Sequence, residues 1–139
     1  MKTARTMRLL AAAALCTASL AVVAAPQNRI ILQVSDNSEA TWNQAMNNAR
    51  NVQQMLGRDN VAIEIVVFGN GIGAARFDAP VNDRVGETVA AGIDVVVCEN
   101  TMKARKLTRE DMNAKVSYVP AGVVELMKKQ QEGWAYIKP

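Results

Sequence analysis

Residues 93 to 98 read IDVVVC, a run in which Asp94 is the only charged side chain. Valine is β-branched and favours strands, and an apolar run this continuous predicts a strand that is covered on both faces. Strands of that kind belong to parallel sheets with helices packed on either side. We therefore predict that residues 93–98 form a central strand of an α/β domain.

The rest of the chain alternates between short β-branched runs and amphipathic stretches. Between residues 39 and 56, apolar side chains recur at spacings of three and four, which indicates a helix with one buried face. The predicted inward positions are Trp42, Ala45, Met46, Ala49, Val52 and Leu56. Strands alternating with helices predict a mainly parallel sheet with helices on both sides. The predicted strands are residues 29–34, 61–68, 93–98, 116–119 and 134–137, and the predicted helices are residues 39–56, 80–92, 100–107 and 123–131.

The first 24 residues have the pattern of a secretory signal peptide. Lys2, Arg5 and Arg8 precede an apolar run from residue 9 to residue 23, and the small residues Ala24 and Ala25 follow it. The run is short of the roughly 20 apolar residues that cross a bilayer. We expect cleavage of residues 1–24, which leaves residues 25–139 as one domain that is periplasmic or otherwise exported.

The predicted leader holds three basic residues and no acidic residue. The whole chain has 16 Lys and Arg against 13 Asp and Glu, so removal of the leader leaves a formally neutral domain. A neutral domain lacks the basic excess that binds nucleic acid or anionic membranes. We therefore predict no nucleic-acid partner, and no membrane association after cleavage.

The predicted domain contains a single cysteine, Cys98, and the whole chain contains no histidine. An internal disulfide is therefore excluded from that domain. Histidine is the commonest general base and the commonest metal ligand, so its absence argues against serine and cysteine hydrolase triads and against most zinc or copper sites. We expect no metal and no cofactor, and we do not expect a hydrolase.

Candidate binding residues follow three of the predicted strands. In open parallel sheets, ligands bind in the crevice beyond the carboxyl ends of the strands, where residues 35–37, 69–73 and 98–100 should meet. The glycines of the second segment allow tight turns and expose backbone N–H groups that could hold an anion or a sulfur atom. Asp36 is predicted to cap the helix that follows it. The predicted binding residues are Asn37, Gly69, Gly71, Gly73, Asn100 and Thr101.

Cys98 is the candidate reactive residue, because it ends a strand just before a helix that Asn100 or Thr101 is predicted to cap. A helix dipole contributes roughly 0.3–1 kcal/mol, which is less than the energy of about 1.36 kcal/mol that corresponds to one pKa unit. Activation of the thiol therefore requires a nearby cation or several N–H donors. The candidate cations are Lys103, Arg105 and Lys106. The alternative is a buried cysteine that serves as a small apolar side chain.

The carboxyl-terminal segment carries more apolar side chains than one helix and one edge strand usually bury. These side chains are Val123, Val124, Leu126, Met127, Trp134 and Tyr136. The surplus predicts self-association into a homo-oligomer.

Four segments together resemble the DsrE-like family, including its YchN-type single-domain members. They are SDN at 35–37, FGNGIG at 68–73, CENTM at 98–102 and the ending VPAGVVELMKKQQEGWAYIKP at 119–139. The resemblance implies a three-layer α/β/α domain that assembles into dimers, trimers or hexamers. Sulfur-relay members of the family have a cysteine at this position that takes up sulfane sulfur as a persulfide and passes it to a partner protein. The resemblance thus implies such a role for Cys98, with a sulfur donor or acceptor protein as partner.

Three hypotheses follow for the function of the chain. In the first, Cys98 is a sulfur carrier, which requires one accessible thiol and no base. In the second, the protein is a non-catalytic oligomeric binding module in which the cysteine is structural. In the third, Cys98 forms a disulfide between two copies of the chain.

Overall fold

The computed structural model describes residues 25–139, and the predicted leader, residues 1–24, lies outside the described residues. The strands are β1 (Asn28–Val34), β2 (Val61–Val67), β3 (Asp94–Cys98), β4 (Ser117–Val119) and β5 (Ala135–Ile137). The helices are α1 (Glu39–Leu56), α2 (Asn82–Ala90), α3 (Glu99–Ala104) and α4 (Gly122–Gln131). The five strands form one sheet in the order β4-β3-β2-β1-β5, and every neighbouring pair is parallel.

Helices cover both faces of this sheet, because successive side chains of a strand point to opposite faces. On β1, Ile30, Leu32 and Val34 pack with α1 and α2 in the larger core cluster. Ile31 packs on the other face with Leu126 of α4. β3 lies between β2 and β4, as its apolar sequence predicts. The α/β fold, with three layers and a parallel five-stranded sheet, is therefore confirmed.

Helix α1 has the bounds that its periodicity predicts. Four of its predicted inward residues are buried, namely Trp42, Ala45, Met46 and Ala49. The prediction that Leu56 faces inward is wrong, because this side chain is 41% exposed. The 18-residue helix is about 27 Å long. The seven residues of β1 span about 23 Å, which is about 4 Å less than the length of the helix.

The amino-terminal cap of α1 differs from the sequence prediction. The cap is Ser38, whose hydroxyl oxygen accepts a hydrogen bond from the Thr41 N–H at 3.3 Å. The prediction that Asp36 caps this helix is wrong, because the Asp36 carboxylate instead pairs with Lys138 at 2.7 Å. Asp36 and Ser38 are both residue types that cap helices well, so only the path of the backbone distinguishes them.

One charged side chain, Glu64 of β2, is buried between the sheet and α4. Its Oε2 atom pairs with Lys129 at 3.0 Å, and its Oε1 atom has no hydrogen-bond partner among the described residues. Lys129 also lies 3.6 Å from the Glu125 carboxylate and 4.3 Å from the centre of the Trp134 ring. Burial raises the pKa of Glu64 more than the Lys129 ammonium lowers it. Burial disfavours the charged form of Lys129, but Glu64 and Glu125 outweigh it and raise the pKa of Lys129.

Candidate functional site

Cys98 is both the last residue of β3 and the residue that caps α3. Its sulfur accepts a hydrogen bond from the backbone N–H of Thr101 at 3.4 Å. The prediction that Asn100 or Thr101 caps this helix is wrong, because the helix begins at Glu99 with no linker after the strand. The thiol therefore occupies the position that a serine or aspartate oxygen usually takes at the start of a helix.

A second helix begins against the same sulfur. Gly122 is the first residue of α4, and its backbone N–H is one of the groups that lower the pKa of the Cys98 thiol. The segment before α4 is held to α3 by a hydrogen bond of 3.1 Å from the Asn100 N–H to the Pro120 carbonyl oxygen. A β-carbon on Gly122 would be crowded, because it would lie 3.0 Å from the β-carbon of Phe68. Close packing thus brings the start of α4 to the thiol.

These donors determine the protonation equilibrium of Cys98. Burial raises the pKa of the thiol, since the sulfur is shielded from water. The Thr101 hydroxyl and the backbone N–H groups of Gly122, Thr101 and Asn100 act against burial, and the net effect is a pKa below the usual value for cysteine. Of these groups, the Thr101 N–H donates a hydrogen bond to the sulfur, and the Asn100 N–H donates to the Pro120 carbonyl oxygen. Neutral donors therefore favour the thiolate.

The cations that the sequence suggested for this role lie elsewhere. Lys103, Arg105 and Lys106 are exposed, and none of them contributes to the lowered pKa of Cys98. Glu99, which follows Cys98, pairs with Arg109 at 2.8 Å. Of the two alternatives that the sequence left open, a nearby cation or several N–H donors, the surroundings of Cys98 favour the N–H donors.

Thr101 connects the thiol to the loop after β2. Its hydroxyl oxygen accepts a hydrogen bond from the Gly69 N–H at 3.0 Å, while its own N–H and hydroxyl group face the Cys98 sulfur. Gly69 has a φ of 56°, a left-handed conformation that glycine adopts without strain. Gly69, Cys98, Asn100 and Thr101, four of the residues predicted from sequence, therefore form one hydrogen-bonded group. Its sulfur is well shielded, because Cys98 is only 5% exposed.

The other predicted binding residues lie outside this group. The Gly71 N–H donates to the Phe68 carbonyl oxygen at 3.0 Å, so this amide is engaged within the loop itself. Gly73 packs against the Trp42 ring, where a β-carbon would lie 3.0 Å from a ring carbon. Asn37 is exposed and lines a separate cleft together with Gly73. The predicted site is thus divided into a thiol group and a neighbouring cleft.

Sequence reasoning missed several residues at this edge of the sheet. Gly122 belongs to the PAGVVEL segment that supports the family resemblance, and its place after the fourth strand was the available signal. Asn70 and Arg76 line the cleft beside Arg105, but no spacing rule connects positions so far apart in sequence. They meet because the loop after β2 contacts the carboxyl-terminal end of α3, where Arg105 donates to Asn70.

The described part of the chain also lacks two features. Within residues 25–139, no three acidic or cysteine side chains are grouped closely enough to hold a metal ion. No helix in that range is long and apolar enough to cross a membrane.

The fold and the site together define a class of protein: a three-layer α/β/α domain with a parallel sheet and a hydrogen-bonded thiol at the carboxyl edge of that sheet. The model of the DsrE/DsrF-like family matches residues 54–139. The chain belongs to the DsrE/DsrF-like family. This match begins near the end of α1 and includes Cys98 and all its hydrogen-bond donors.

Two solved structures have the same fold. One is a protein of unknown function, MTH1491 from Methanobacterium thermoautotrophicum, with a TM-score of 0.77 and 29% sequence identity. The match covers 81% of this chain and 100% of that chain. The other is a conserved protein of unknown function, BT1422 from Bacteroides thetaiotaomicron, with a TM-score of 0.62, 13% identity and coverage of 81% and 95% of the two chains. A comparison with the curated proteins gave no match.

Proposed function

We propose that this protein is an exported, YchN-type sulfur carrier that binds sulfane sulfur as a persulfide on Cys98. The observation that carries the proposal is the convergence of two helix starts and the Thr101 hydroxyl on one sulfur, with a lowered thiol pKa as the result. Family membership supports a role in sulfur relay. The signal-like pattern of residues 1–24 supports export, with the carrier domain formed by residues 25–139.

The proposed reaction needs no base and no cofactor. The Cys98 thiolate attacks the outer sulfur of a donor persulfide, R–S–SH, so that a bond forms between this sulfur and Sγ while the donor S–S bond breaks. The products are Cys98–S–SH and the donor thiolate, R–S⁻, and the numbers of electrons and protons are unchanged. In the second half, an acceptor thiolate attacks the terminal sulfur and releases the Cys98 thiolate. Donors that lower the thiol pKa assist both halves, since they stabilise the thiolate as nucleophile and as leaving group.

The proposal is tested by incubating the protein of residues 25–139 with inorganic polysulfide and weighing it intact. We expect the wild-type protein to gain the mass of one sulfur atom and the Cys98→Ser variant to gain none. Reduction with dithiothreitol should remove the added mass. A wild-type protein with the same mass as before treatment, or a variant that gains as much as wild type, would end the proposal.

Thr101 offers a graded form of the same test. Thr101→Val keeps the shape of the side chain but removes the hydroxyl that faces the sulfur, whereas Thr101→Ser retains it. A hydrogen bond to a charged group contributes about 1.5–3 kcal/mol, so uptake near neutral pH should slow by about tenfold or more in Thr101→Val and far less in Thr101→Ser. Because the wild-type pKa is lowered, the rate difference should shrink as pH rises and both thiols ionise. Equal rates for the two variants would contradict the role given to this hydroxyl.

A second candidate function is the non-catalytic binding module, which the burial of Cys98 favours. Cys98 is only 5% exposed, and its sulfur accepts a hydrogen bond in the first turn of α3, as a structural side chain would. The two candidates predict different reactivity of the Cys98 thiol towards small reagents. A structural thiol should react neither with polysulfide nor with bulky disulfides until denaturant is added, whereas a carrier thiol should react with polysulfide in the folded protein. The same burial argues against a disulfide between copies, which requires an exposed sulfur.

Self-association forms part of either candidate. We place it on the surface formed by α4 and β5, where Val123, Met127 and Tyr136 are 62%, 50% and 42% exposed and line one groove with Gln33. An apolar patch of this kind is typical of an interface between subunits. We expect a homo-oligomer in analytical ultracentrifugation, and Met127→Lys should shift it towards monomer. A wild-type protein that sediments as a monomer at micromolar concentration would contradict this expectation.

A further inference from the structure

A cleft beside the thiol group has the features of an anion-binding site. Its volume is about 490 Å³, within the roughly 300–1,000 Å³ of small-molecule sites. It lies between the loops that follow β1 and β2 and the carboxyl-terminal end of α3, and its polar lining consists of Asn37, Asn70, Gly73, Arg76 and Arg105. Among the described residues, no acidic side chain belongs to this lining. We refer to these five residues as the arginine cleft.

The two arginines differ in how their charges are compensated. Arg76 forms a two-point ion pair with Asp78, at 2.8 Å and 3.0 Å. Arg105 instead donates to the neutral Asn70 amide oxygen at 2.6 Å, and no carboxylate in residues 25–139 pairs with it. A guanidinium group has five N–H donors in a planar fork, and this contact uses one of its nitrogens. Arg105 therefore has both the net charge and the remaining donors to bind a carboxylate in the two-point manner typical of arginine.

The position of the cleft relative to Cys98 limits the size of its ligand. Cys98 caps one end of α3 and Arg105 caps the other, and six helical residues span about 9 Å. Asn70 follows Gly69, whose N–H contacts the Thr101 side chain. Cys98 does not line the cleft, so a ligand bound to Arg105 has to extend beyond the cleft to approach the sulfur. A single oxyanion is too short to reach both points, but a small peptide is long enough.

We propose that the arginine cleft binds the carboxylate end of a small peptide-like thiol whose persulfide sulfur reaches Cys98. Arg105 binds the carboxylate, and the amides of Asn37 and Asn70 bind the polar backbone of the ligand. This inference rests on the proposed sulfur-carrier function and names the chemical class of its donor. The donor is an organic persulfide whose carboxylate group lies about 9 Å from the reacting sulfur.

The test uses an unreactive ligand so that binding and sulfur transfer are measured separately. S-methylglutathione, a tripeptide thioether with two carboxylates, is titrated into the Cys98→Ser protein and followed by amide chemical shifts. We expect saturable shifts at Asn37, Asn70 and Arg105. In the Arg105→Gln variant we expect binding weaker by about fivefold, the upper end of the range for an exposed ion pair. Lys103→Gln removes a cation from the same helix outside the cleft and should bind the ligand like its parent.

Two further ligands test whether the chemical-shift changes come from carboxylate binding by Arg105. The diethyl ester of S-methylglutathione lacks both carboxylates and should bind no more tightly to the parent than to Arg105→Gln. Thiosulfate should show no Arg105-dependent saturation, and if it binds more tightly than the peptide, the extended donor is wrong. Absence of peptide binding also overturns the inference, even if Cys98 accepts sulfur from polysulfide. Arg105-dependent binding by a protein that forms no persulfide would support the cleft while ending the carrier proposal.

Discussion

Replacement of Lys129 by methionine should destabilise the protein by about 3–5 kcal/mol at neutral pH, because it leaves the Glu64 carboxylate buried without its counter-charge. Methionine preserves the length and apolar packing of the lysine stem. The neighbouring Lys128 is exposed and forms no ion pair among residues 25–139, so Lys128→Met should change stability by less than about 1 kcal/mol. Urea unfolding of the two variants and the wild type provides the comparison.

The destabilisation in Lys129→Met should depend on pH with a definite sign. Burial already raises the pKa of Glu64 in the wild type, and loss of Lys129 removes the strongest influence that lowers it. A carboxyl whose pKa is raised by folding contributes stability below its unfolded value, and this contribution is lost as pH rises through the folded pKa. The variant should therefore be closest to wild type near pH 4 and furthest from it above neutrality. A pH-independent difference would contradict the assignment to Glu64.

The double variant Glu64→Leu with Lys129→Met should recover most of the lost stability. Replacing a buried ion pair with apolar residues of similar volume is often neutral or stabilising, since two desolvated charges are removed together. The unpartnered Oε1 atom of Glu64 would disappear in the same step. If the double variant is as unstable as Lys129→Met alone, packing rather than the unpaired charge accounts for the loss.

The second large effect is expected for Gly71→Ala, which should destabilise the protein by about 3 kcal/mol or more. A β-carbon on Gly71 would lie 2.7 Å from the Val34 carbonyl carbon and 2.9 Å from the Ser35 nitrogen, and closer still to the Val34 oxygen. These are backbone atoms at the end of β1, so they cannot rotate away as a side chain could. The loop after β2 and the end of β1 would have to separate.

Gly86→Ala provides the matched control for this substitution. Gly86 lies within α2, and a β-carbon there would meet only ordinary contacts of 3.7–3.8 Å with the side chains of Lys115 and Asn113. Alanine is favoured over glycine inside a helix by about 0.5–1 kcal/mol, so this variant should be more stable than wild type. Thermal unfolding of both variants distinguishes a specific clash from a general intolerance of alanine. Equal stability of Gly71→Ala and wild type would contradict the close approach.

Much of the fold could be predicted from local patterns, since periodicity alone gave the bounds of α1 and the parallel sheet. The roles of the loop glycines could not be predicted in this way, because glycine occurs both in open loops that bind anions and at places where two backbone segments approach closely. Gly71 belongs to the second kind. Glu64 was recognisable only as a polar interruption of an apolar strand. Its partner Lys129 lies in a helix near the other end of the chain, and pairing across that distance depends on tertiary structure.

The candidate site was located by one rule and incorrectly described in its details. Strand ends of a parallel sheet share an edge, and this placed Cys98 near Gly69 and Thr101. The sequence left open whether a cation or several N–H donors would acidify the thiol, and it could name residues only for the cations, because the directions of backbone N–H groups are not visible in a sequence. The contribution of Gly122 depends on the start of α4 lying against Phe68, which no local pattern encodes.

The position of Cys98 at the first turn of α3 gives the protein an internal reporter of its own chemical state. The same sulfur that would carry cargo accepts the Thr101 amide proton, so ionisation, alkylation or loading at that atom changes the electron density facing this proton. The Thr101 resonance in an amide spectrum should therefore distinguish empty, charged and loaded forms without any added label. A partner that contacts the surface around α3 would meet a first helical turn whose hydrogen bonding depends on the state of Cys98.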